Sequence, residues 1–171
     1  GLSQLIVTSA VGGIHQDYSV GDYVVVKDHV NFVGINPLIG HNAESIGPRF
    51  PSLFDLYDNQ IMDSFITKGV KNGLVFRKGV LGFWPGPGFE TRKELMFLQM
   101  NGIDLIGWSM VPEIITAAHA GMRTAGVCVV SDISDPLRAR KVGIKEIEEA
   151  ASRNQYKFAV SLIDVIKENQ I

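Results

Sequence analysis

Short β-branched apolar runs alternate with amphipathic helical stretches along this chain, and that alternation is what most constrains its fold. Residues 5–10 read as a buried strand closed by the turn at Gly12-Gly13, and residues 23–27 as a second strand. Residues 73–84, 103–107 and 124–130 complete the strand-like set. Between them, residues 60–71 carry Ile61, Met62, Phe65, Ile66 and Val70 at helical spacing, and residues 91–101 are amphipathic with Gly102 as a stop. Residues 112–120 open with Pro112 in the first helical turn, where its missing N–H costs little, and Gly121 closes them. Residues 141–168 read as one long helix or a broken pair. Residues 28–58, with Asn36-Pro37, Gly40, Gly47-Pro48 and Pro51, hold no sustained period and read as a long loop. In compact domains such loops usually serve function or an interface. The pattern predicts one α/β domain over residues 1–171, with a mostly parallel sheet and helices on its faces.

The balance of residues excludes several functions. With 46% apolar residues and a mean hydropathy of +0.14, the chain can bury a sizeable core. Its 16 basic and 18 acidic residues leave a net charge of -2, with no electrostatic footprint for nucleic acid and no polybasic stretch for a membrane surface. No apolar run is long enough to span a bilayer, and residues 1–10 lack the basic head and cleavage site of a signal peptide. The single cysteine, Cys128, lies in an apolar run and cannot form an internal disulfide, which suits a buried thiol in a reduced, cytoplasmic chain. His15, His29, His41 and His119 show no metal-ligand spacing, so no metal is expected; His29 and His119 read as structural. There is no initiator Met, and the first strand has no preceding partner, so a processed or truncated piece of a longer protein is expected.

In open α/β sheets, ligands bind beyond the carboxyl ends of strands. Here those ends carry residues 9–13, the Pro/Gly turn 85–90, Trp108-Ser109 and Ser131-Asp132. Residues 9–13 can turn backbone N–H groups toward an anion, although they match neither a dinucleotide fingerprint nor a Walker loop. Ser109 just before a helix is commonly only a cap, but a hydroxyl at a helix N-terminus can also join in holding phosphate. Glu90 either complements a helix dipole or accepts hydrogen bonds from a ring N–H, with Phe89 covering a flat heterocycle. Asp132 is either a loop-opening carboxylate or an acid that shares a proton with a leaving base.

Taken in order, residues 7–13, 20–22, 28–31, 36–38, 47–51, 86–91 and 109–113 closely resemble the trimeric purine nucleoside phosphorylase family, which includes the methylthioadenosine phosphorylases. The similarity runs from about residue 5 to residue 132. It implies a mixed, mostly parallel central sheet flanked by helices, incomplete at the N-terminus. It also implies phosphate-dependent cleavage of a purine nucleoside to free purine and pentose 1-phosphate, with inorganic phosphate as co-substrate and no other cofactor. On that resemblance, the backbone of Ala10 and the hydroxyl of Ser109 contact phosphate, while Phe89 and Glu90 hold the purine. Asp132 faces the purine's N7 and 6-substituent edge, and Trp108 lies under the pentose. Phe50 reaches into a neighbouring subunit's pocket, which makes a homotrimer functional.

The same resemblance leaves specificity open. Glu90 is the choice for a 6-oxopurine and Asp132 the choice for a 6-aminopurine. Trp108 stands where a small, methionine-like residue is expected, which narrows the sugar pocket. Ile144 falls where a histidine often contacts the 5′-hydroxyl, which favours a 5′-deoxy or 5′-alkylthio group. Family members also carry a longer N-terminal segment with further phosphate ligands. The 171 residues are therefore expected to be the C-terminal portion, inactive alone, with a non-catalytic nucleoside-binding relative as the alternative.

Overall fold

In this computed structural model, residues 1–138 and 143–170 are described. Strands β1 (Gln4–Gly13) and β2 (Tyr23–Asn31) precede helix α1 (Asn59–Lys71) and strand β3 (Phe76–Phe83). Helix α2 (Arg92–Met100), strand β4 (Leu105–Gly107), helix α3 (Val111–His119) and strand β5 (Arg123–Ile133) follow. Helices α4 (Ile144–Ser152) and α5 (Gln155–Asn169) end the chain. The C-terminal stretch is thus the broken pair; residues 141 and 142 of the anticipated helix lie outside the described residues.

The helices form where local chemistry starts and stops them. Asp58 caps α1 by accepting the N–H of Ile61 at 2.9 Å, and the apolar face carrying Ile61, Met62 and Phe65 turns into the core. Thr91 and Glu94 make a reciprocal capping box on α2, and Gly102 (φ +72°) turns the chain away from it.

The sheet is mixed and mostly parallel, as anticipated, with order β1-β4-β3-β2-β5. It curves until β1 also meets β5, closing into a small barrel. The pairs β1/β5, β2/β3 and β3/β4 are parallel, and β1/β4 and β2/β5 antiparallel. Val24, Val25 and Val26 are all fully buried, the mark of a strand covered on both faces.

Two expectations about β1 are corrected. Gly12 and Gly13 do not end the strand; they pair with Ile106 and Leu105 of β4. Gly13 also leaves no room for a side chain on its β5 side, since a Cβ there would stand 2.9 Å from Cγ1 of Val130. Nor is the first half of β1 buried. Thr8 and Ala10 are exposed, because only β5 flanks that stretch among the described residues. Residues 28–31 belong to β2, so the long loop starts later than its sequence suggests.

Candidate nucleoside-binding site

The end of β1, the Pro/Gly turn after β3, the β4–α3 turn and β5 converge on a cleft of about 360 Å³. Ala10, Val11 and Gly12 form one side; Phe89, Glu90, Trp108 and Ser109 form another; Ile106, Gly107, Ser131 and Ile147 complete it. Five anticipated residues therefore meet here: Ala10, Phe89, Glu90, Trp108 and Ser109.

The β4–α3 turn is held in an unusual shape. Met110 has φ +82° and ψ −47°, a conformation a non-glycine residue rarely adopts, and its side chain is fully buried. No side chain caps α3, and Pro112 follows in its first turn, so N–H groups at this helix start remain available beside Ser109. The hydroxyls of Ser9 and Ser109 lie 2.9 Å apart. Phe89 and Trp108 stand with ring centroids 5.6 Å apart, inclined at 38°. Glu90 is the only ionisable side chain among the described lining residues.

A β-bulge decides which residue of β5 faces the cleft. Val11 pairs with Val130 but Gly12 pairs with Asp132, so Ser131 is the inserted residue. Ser131 lines the cleft and donates to the carbonyl of Val11 at 3.1 Å. Asp132 sits beside it, only 4% exposed, with Oδ1 at 3.3 Å from the Ser131 hydroxyl. The structure thus places Asp132 behind the cleft lining rather than on its floor.

Two other anticipated residues stand apart. Ile144 is exposed outside the cleft, and Ile147, one turn on, contributes the apolar wall from α4. Phe50 projects into solvent at 88% exposure from the loop before α1. Ser9, Ser131 and Ile147 are the side chains the sequence did not single out. Their signals were faint: a serine within a strand, a serine beside a more conspicuous aspartate, and the next isoleucine on one helical face.

No histidine is among the described lining residues. His119 is buried and its Nε2 lies 3.0 Å from Oδ1 of Asn42. His29 Nδ1 lies 2.9 Å from the Tyr57 hydroxyl, and burial pushes its pKa below the ordinary histidine value. Among the described residues no group of His, Cys, Asp and Glu side chains is placed to hold a metal ion, and no helix is long and apolar enough to cross a membrane.

The barrel and its cleft belong to a nucleoside phosphorylase-like fold. The phosphorylase superfamily model matches residues 1–167, and the chain belongs to that family. Purine nucleoside phosphorylase 1 of Bacillus subtilis is 38% identical over 154 residues, covering 90% of this chain and 56% of that protein. Purine nucleoside phosphorylase of Mus musculus is 35% identical over 176 residues, covering 97% and 61%. The structure of Schistosoma mansoni purine nucleoside phosphorylase in complex with adenosine superposes with a TM-score of 0.90 at 30% identity, covering 96% of this chain and 61% of that one. The chain spans little more than half the length of the curated relatives it matches.

Proposed function

We propose that this chain carries the purine- and phosphate-binding cleft of a purine nucleoside phosphorylase-type pentosyltransferase. The observation that carries the reading is the convergence of Phe89 and Glu90 with Ala10 and Ser109 on one cleft. Glu90 and Phe89 hold the purine, with Asp132 acting from behind Ser131 on its N7 and 6-substituent edge. The Ala10 backbone and the Ser109 hydroxyl, helped by the start of α3, hold phosphate. Trp108 lies along the pentose, and Ile144 with Ile147 lies toward its 5′ end.

In this reaction the C1′–N bond breaks with its electron pair leaving on the purine. A phosphate oxygen supplies the pair for the new C1′–O bond. The proton that dihydrogen phosphate loses on forming this bond passes to the purine, which completes the exchange, and no cofactor beyond phosphate takes part. The catalysis lies in positioning phosphate and stabilising the departing base. The enzyme acts as a cytoplasmic homotrimer in purine salvage. Support for assembly comes from the loop before α1, which exposes Ile39, Ile46, Phe50 and Phe54.

Incubating the protein with purine nucleosides, with and without phosphate, tests the proposal: base release must require phosphate. Release that ignores phosphate makes the protein a nucleosidase. A second reading, nucleoside binding without turnover, is favoured by the lack of any cationic side chain among the described lining residues. Calorimetry showing nucleoside binding with no released base selects it.

A further inference from the structure

Phosphorolysis exchanges purine for phosphate at one carbon, so that carbon must lie between the groups that hold each. Trp108 spans this interval, next to Ser109 in the chain and in ring contact with Phe89. Its indole rests on Gly86, where an added Cβ would meet Cδ2, Cε3 and Cε2 at 2.7, 2.9 and 3.1 Å. Cδ2 is a ring-fusion carbon bonded to three other ring atoms, so a contact centred on it comes from the face of the indole. One face is therefore braced by backbone. The residue is still 44% exposed and lines the cleft, so the part of the indole that neither Gly86 nor the Phe89 ring covers is open to a ligand.

Resting on the functional reading above, we propose that Trp108 is a catalytic residue whose exposed indole surface stabilises positive charge on the pentose. As the purine departs with its electron pair, the sugar carbon and ring oxygen share an oxocarbenium-like charge until a phosphate oxygen bonds. Tryptophan presents the most favourable aromatic face to a cation. The sugar is neutral in the ground state, so this attraction strengthens only as the bond breaks, the condition for accelerating the step. Glu90, the one ionisable side chain among the described lining residues, is engaged at the purine end. The Gly86 backbone cannot yield as a side chain would, so the indole is held in place beforehand.

The test is calorimetric and does not depend on turnover. Two purine nucleoside analogues are titrated, one with a pyrrolidine ring that is an ammonium at neutral pH and one with the uncharged furanose ring. The wild-type chain should favour the cationic analogue by roughly 2- to 30-fold. W108F should keep part of that preference and W108L should lose it, with circular dichroism confirming that both variants fold. Full preference retained in W108L overturns the proposal, as does equal binding of both analogues by the wild type. Binding of neither analogue by the folded wild type removes the nucleoside-site reading, and the role of Trp108 with it.

Discussion

The hydroxyls of Ser9 and Ser109 meet at 2.9 Å, joining the open stretch of β1 to the turn before α3. They hydrogen-bond to each other here, and a phosphate oxygen placed beside the pair would accept a hydrogen bond from each. Hydrogen bonds to charged groups contribute about 1.5–3 kcal/mol each. Ser109→Ala should therefore weaken phosphate binding by roughly 10- to 100-fold, and Ser9→Ala should weaken it in the same direction. Purine nucleoside affinity should change little in either variant. Phosphate titrations of both check this; wild-type affinity in both would make the pair purely structural.

The two serines also show what the sequence could reveal. That Ser109 reaches the cleft was legible, because it stands at a strand end just ahead of a proline-opened helix. Ser9 was not, because its role depends on a contact with a residue 100 positions away. The exchange of Ser131 for Asp132 at the cleft lining has a similar cause. A bulge is a property of pairing between β1 and β5, and neither strand announces it alone. Gly12-Gly13 reads locally as a turn, yet both residues pair with β4, and at Gly13 the close approach of the Val130 side chain leaves little room for a Cβ. The apolar character of residues 5–7 indicated a strand, while the exposure of its edge depended on which neighbours it has.

Asp58 serves two elements at once. It caps α1, and it grips Arg123 at the start of β5 through Nε–Oδ2 at 2.7 Å and Nη2–Oδ1 at 2.9 Å. The Arg123 hydrogen bonds are the main reason its pKa lies below the ordinary value of 3.8. A depressed carboxylate pKa contributes stability that is complete above the unfolded value and is lost as pH falls through the folded one. Asp58→Ala should lower stability at neutral pH by about 1–3 kcal/mol. Asp58→Asn should flatten the loss of stability of the wild type below about pH 4. Urea unfolding at pH 7 and across pH 2–5 measures both.

Cys128 is completely buried in β5, and burial pushes its thiol up to about 12. Thiolate is the reactive form, so at pH 8 the folded protein should resist alkylation. Labelling should appear only as the protein opens, with a rate that follows added urea through the unfolding transition. Rapid labelling in the absence of denaturant would mean that the β1/β5 seam opens locally around it.

Gly126 connects the barrel core to the site without touching the cleft. An added Cβ would meet Sδ of Met110 at 2.6 Å, Cβ of Val26 at 3.2 Å and Cε1 of Tyr57 at 3.3 Å. Val26 and Tyr57 are themselves buried, so the methyl cannot be taken up on their side, and Met110 must move. Met110 already holds a positive φ, and its backbone carries Ser109. Gly126→Ala should therefore cost about 1–3 kcal/mol of stability, the usual range for overpacking a core. It should also weaken phosphate binding by displacing the Ser109 hydroxyl. Met110→Ala removes the sulfur that the new methyl would strike. The stability cost of Gly126→Ala should accordingly be smaller in a Met110→Ala background, by an interaction energy of about 0.5–3 kcal/mol. Additive costs in this double-mutant cycle would mean that Met110 does not carry the strain from Gly126 to the β4–α3 turn.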